Sequence, residues 1–144
     1  MSAGLVLPKM CSSSGVSTAS IPGLKPILAS RAISDDTSSV AYLPDHIVSP
    51  GVSDQVRDLI NDVDVLLHDA QFVESERAYA DAYAHSTVDD AVALATECGV
   101  RKLVLFHHGP ARTDEANDAI AAGLDPSGTV VLAVQGDEID VRHS

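Results

Sequence analysis

The sequence predicts an α/β layered domain, and three observations carry that reading. From residue 39 onward, short apolar runs of strand length alternate with capped stretches of helical period. The 144 residues, at 15.0 kDa, are one domain's worth of chain and bury about two-thirds of their unfolded surface on folding. Hydrophobic residues make up 45% and aromatics only 3%, with no Trp. The core must therefore be built from Val, Leu, Ile and Ala, and no stacking platform for single-stranded nucleic acid is expected.

Residues 1–30 are rich in Ser, Gly and Pro and show neither strand nor helix period. They read as a poorly ordered lead-in. Ala32-Ile33, a polar stretch at 35–38 and Ser39 to Leu43 read as a hairpin whose second strand is the stronger. Ser53 can cap a helix over 54–62, with Val56, Leu59 and Ile60 on one face. Val63 to Leu67, broken only by Asp64, reads as a buried strand. Glu74 to Tyr83 is Ala-rich and helix-prone. Ser86 or Thr87 caps the next helix, whose Val88, Ala91, Val92 and Ala95 share a face and which Gly99 stops. Asp89 and Asp90 suit its first turn, where the helix dipole favours negative charge. Leu103 to Phe106 reads as another buried strand. Thr113 caps a helix to about Ala122, ended by Gly123. A turn at 125–128 leads into a strand at 129–134. A turn at 135–137 precedes a last short strand at 138–141.

The net charge is −12, unevenly placed. Residues 1–34 hold Lys9, Lys25 and Arg31 and no acid, while all 21 acidic residues lie beyond them. An acidic body repels phosphate backbones, so no stable DNA binding is expected. No apolar run reaches the length of a membrane span, so no membrane partner is expected. Leu5-Val6-Leu7 is too short for a signal-peptide core. Cys11 and Cys98 are far apart and in no Cys-x-x-Cys pair, which suits reduced thiols and a cytoplasmic location.

Three apolar runs share one ending. Val40 to Leu43 leads to Asp45-His46, Val65 to Leu67 to His68-Asp69, and Leu103 to Phe106 to His107-His108. The carboxyl ends of strands in an α/β sheet line one edge, where ligand crevices form. Asp and His gathered there are donors for a borderline metal ion. Taken singly, Asp45 and His46 also read as turn residues, His68 as a buried histidine bonded to backbone, and His107-His108 as a loop start. His85, just before a capped helix, is placed to protonate a leaving oxygen beside an oxyanion held by the helix N–H groups, or is a loop residue only.

His68-Asp69-Ala70-Gln71, Ala84-His85-Ser86-Thr87 and Leu103 to Pro110 with Arg112-Thr113-Asp114 together resemble metallo-β-lactamase-fold hydrolases, in the ribonuclease Z and cyclic-phosphodiesterase branch. The resemblance covers roughly residues 31–142. It implies that 31–144 is the C-terminal half of an αββα sandwich, a mixed β-sheet with flanking helices. It implies a zinc-dependent hydrolase of a small phosphodiester or nucleotide-type substrate, with two Zn2+ in a complete site. By it, Asp45 and His107 are metal ligands, His85 assists the leaving group and Asp69 orients His85. His46, His68 and His108 carry no assured ligand role by this match, and His68 either stands behind the ligands or is structural. The family's His-x-His-x-Asp-His motif, which supplies most zinc ligands, is absent from this chain, where no His precedes residue 46. The site is then incomplete, with a weak or inactive isolated chain. A half-fold also leaves apolar sheet surface uncovered, for a complementary N-terminal half or a second copy. The continuation His108-Gly109-Pro110 and the acidic body argue against tRNA 3′ processing. The alternative is a non-catalytic truncated remnant or interaction module of the same fold.

Overall fold

The computed structural model describes residues 17–19, 29–33 and 38–141. Six strands form one sheet in sequential order: β1 (Ser17–Ala19), β2 (Ala29–Ile33), β3 (Ser39–Leu43), β4 (Val65–Asp69), β5 (Lys102–Phe106) and β6 (Val130–Leu132). β1, β2 and β3 pair antiparallel; β3, β4, β5 and β6 pair parallel. The expected hairpin forms as β2 and β3, with Ile33 opposite Ser39. Most of the 1–30 lead-in lies outside the described residues. Its described parts run as strand, which no local period announced, because the neighbouring strand supplies the hydrogen bonds.

Helices α1 (Asp54–Ile60), α3 (Val88–Glu97) and α4 (Asp114–Gly123) connect successive parallel strands. Each starts where the sequence places a cap: Ser53, Thr87 and Thr113 accept from Val56 N, Asp90 N and Ala116 N. A 3-10 turn (Glu74–Glu76) and α2 (Arg77–Tyr83) precede α3. All three crossovers step the same way across the sheet, and right-handed connections then put the three helices on one face. That face is the core. Ala41, Leu43, Leu66, Leu103 and Leu105 pack there against Val56, Ile60, Ala91 and Leu94.

The opposite face carries no helix among the described residues, and residues 134–139 line part of it. One row across it runs Tyr42, Leu67, Val104 and Val131 in register. Tyr42 is 38% exposed and stacks on Phe106, ring centroids 5.2 Å apart. A groove of about 940 Å³ follows this row to His107. The strand expected at 138–141 does not form. Asp137 N instead donates to Val134 O at 3.1 Å, and Glu138 and Ile139 line the groove. β6 is the sheet edge, and pairing decides strand formation where the apolar signal is this short.

Candidate metal centre

The parallel strands bring their carboxyl ends to one edge, and the acidic and histidine side chains meet there. Asp45 follows β3 and His107 follows β5; both have left-handed backbones, φ 46° and 59°. Asp and His tolerate that region better than most residues, yet each such position still costs on the order of 1–3 kcal/mol unless its surroundings impose it. His107 Nδ1 lies 3.0 Å from Asp45 Oδ1. Asp69, the last residue of β4, is fully buried. Its Oδ2 lies 2.6 Å from His85 Nδ1 and its Oδ1 3.4 Å from His107 Nδ1. Gln71 N donates to the same Oδ1 at 3.1 Å.

One ligand atom from each of Asp45, His85 and His107 falls within 4.8 Å of the others. Asp45, Asp69, His85 and His107 therefore converge as the sequence reading expected, and Asp69 pairs with His85. The structure adds His85 to the set able to hold an ion. Its Nδ1 faces Asp69, which leaves Nε2 for a metal or a substrate oxygen.

His85 is set by its flanks. α2 ends at Ala84 in a left-handed turn, and Thr87 and Asp90 form a reciprocal cap at the start of α3. Arg77 bonds Asp90 at 2.7 Å and also pairs with Glu74, tying α2 to that cap. Arg112 reaches Glu76 at 2.6 Å and fastens the loop after His107 to the same region.

His46 and His68 stand behind the site, not in it. Both are buried, His46 Nδ1 lies 3.1 Å from His68 Nε2, and His68 Nδ1 lies 2.7 Å from the Asp69 carbonyl. A carbonyl only accepts, so His68 carries its proton on Nδ1 and receives the His46 N–H on Nε2. His68 is a buried histidine bonded to backbone. The His46 contact and the bond from Ser86 Oγ to the His46 carbonyl join residues 22 to 40 apart in sequence, and no local pattern marks them. His108 Nε2 bonds the Ala133 carbonyl at 3.1 Å.

Burial pushes His46 from its ordinary 6.5 down to about 3, with His68 beside it adding to the shift. Burial also lowers His68, against the opposing bond to the Asp69 carbonyl. Both groups bind protons more weakly folded than unfolded. The His46 contribution to stability is therefore complete above about pH 6.5 and is lost as pH falls toward 3, at ~1.4 kcal/mol per pH unit, and His68 acts in the same direction. Urea unfolding in EDTA should show stability falling as pH drops below about 6.5, with a shallower slope in His46→Asn. An unchanged slope in that variant would remove His46 from the acid response.

The family model for the Beta-lactamase superfamily domain matches residues 15–108. The chain belongs to that superfamily, with the metallo-β-lactamase fold. Within it the chain is ribonuclease Z-like. It is 39% identical over 83 residues to a ribonuclease Z of Bacteroides fragilis, covering 58% of this chain and 26% of that protein. It is 41% identical over 56 residues to ribonuclease Z of Bacillus subtilis, covering 39% and 18%. Among solved structures it superposes on human tRNase Z, short form, with TM-score 0.70 and 20% identity, over 96% of this chain and 47% of that one. A diphosphatase from the PhnP family gives TM-score 0.65 at 19% identity, over 98% and 48%. The chain thus spans about a quarter of the length of these curated relatives, or less, and just under half of these solved ones.

Proposed function

We propose that this chain supplies the C-terminal half of a zinc-dependent phosphodiesterase site, acting in the cytoplasm on a small phosphodiester or nucleotide-type substrate. The observation that carries the reading is the convergence of Asp45, His85 and His107 donor atoms within 4.8 Å, with His85 held by buried Asp69. One carboxylate and two imidazoles are a donor set that suits zinc. Asp45 and His107 would hold the ion, which when bound supplies Lewis acidity and an acidified water. Asp69 fixes the His85 ring with its proton on Nδ1 and stabilises the imidazolium. His85 Nε2 then gives a proton to the departing oxygen. The likeness to a ribonuclease Z and to a diphosphatase supports phosphate-ester chemistry for this chain.

Ligand number argues for a partner half. A catalytic zinc takes about three protein ligands plus water, and two zinc ions need more donors than these. The helix-free face with half-exposed Tyr42 suits a second β-sheet bearing the His-x-His-x-Asp-His motif. A second reading is a non-catalytic interaction module of the fold. Zinc content and bis-p-nitrophenyl phosphate hydrolysis decide between them, measured on the chain alone and with a segment carrying the motif. We expect weak zinc uptake and slow turnover alone, and a joint rise with the segment. No rise in either would leave the module. Two tightly held zinc ions and efficient turnover in the chain alone would mean that His46, His68 or His108 ligates after all.

A further inference from the structure

Each side chain of the candidate centre has a polar neighbour in sequence that is turned away from the centre. Asp45 is followed by His46, Asp69 is preceded by His68, and His85 is followed by Ser86. The Asp45 side chain is 65% exposed, so little packing holds it. The three neighbours are 2% exposed or less, and they are bonded to one another. Ser86 Oγ donates to the His46 carbonyl. His46 Nδ1 donates to His68 Nε2 at 3.1 Å, and His68 Nδ1 donates to the Asp69 carbonyl at 2.7 Å. The chain of bonds joins the turn between α2 and α3, the loop after β3 and the end of β4, and ends on the residue that holds His85.

We propose that His46, His68 and Ser86 are positioning residues: one buried hydrogen-bonded relay that sets Asp45, Asp69 and His85 in register for the metal centre. The proposal rests on reading that centre as a metal site. Its physical basis is the left-handed turn at Asp45, φ 46°. Such a backbone persists only where the surroundings impose it, and the next residue is locked at both ends, through its ring to His68 and through its carbonyl to Ser86. A nitrogen–nitrogen bond needs one lone pair, and the Asp69 carbonyl, which only accepts, leaves that lone pair on His68 Nε2. A buried relay with every member satisfied holds its parts rigidly, whereas one missing member leaves a costly unpaired group and loosens the rest. His108, bonded to Ala133 O, does the same for His107 from the β6 side.

Outer-shell partners of metal ligands typically change affinity 10–100-fold when removed. The test is zinc titration of the full chain for wild type, His46→Leu, Ser86→Ala and His46→Asn, with thermal melts and imidazole 1H–15N spectra in EDTA. His46→Leu and Ser86→Ala are expected to bind zinc about 10–100-fold more weakly while melting cooperatively, and to shift the His85 and His107 resonances before any metal is added. His46→Asn should recover most of the affinity, because its amide nitrogen stands where Nδ1 stood. Unchanged affinity and unchanged resonances in folded variants would overturn the relay. Should wild type take up no zinc, the metal reading falls, and the metal-free spectra still decide the relay. Should His46→Leu not fold, Ser86→Ala carries both measurements.

Discussion

Asp69→Asn is expected to lower turnover by about 10²–10⁴-fold on a phosphodiester with a poor leaving group, measured in protein supplied with the His-rich half. Asp69 is fully buried and serves three partners: His85 Nδ1, His107 Nδ1 and the Gln71 amide. Asparagine keeps one oxygen and turns the other into an NH2 donor. Placed against His85 Nδ1–H, it sets two donors face to face, or forces the ring into the other tautomer with its proton on Nε2. Either way the negative charge that stabilises the imidazolium is gone. The loss should concentrate where protonation of the leaving oxygen matters. An alkyl diester should therefore slow far more than bis-p-nitrophenyl phosphate, whose leaving group departs without help. Equal losses on both substrates would mean that Asp69 acts only through the fold.

Leu66→Ala is expected to destabilise the domain by about 2–5 kcal/mol, a large part of the ~5–15 kcal/mol that holds a typical domain folded. Leu66 is wholly buried on the helix-covered face of β4, in the middle of the parallel sheet. Truncation there removes apolar contact and leaves a cavity that strands on both sides are too constrained to close. Tyr42→Ser on the helix-free face, where the ring is 38% exposed, should cost far less in the chain alone. Urea midpoints read both variants. Equal shifts would show that the helix-free face contributes as much as the core. With a complementary half bound, Tyr42→Ser should become the more damaging of the two for association.

The sequence determined the local elements because their causes are local. Ser53, Thr87 and Thr113 each cap a helix within three residues, and the apolar period of residues 88–95 is visible in a short window. Strands with continuous apolar runs and helices between them dictate a parallel sheet, and a parallel sheet dictates that Asp45, Asp69 and His107 share an edge. The roles given to these residues came from family resemblance, since spacing alone left turn and loop readings open. Tertiary structure decided what depends on a partner distant in sequence. β2 is a strand because β3 offers an edge, and β1 because β2 does, whereas 138–141 joins no ladder of the described sheet. His46 and Ser86 look like a turn residue and a helix cap in sequence. They become part of a relay only because folding brings residues 22 to 40 positions apart into hydrogen-bond distance. His85 joins Asp45 and His107 for the same reason: a side chain's neighbours across loops are set by the packing of whole elements, and no window of sequence contains them.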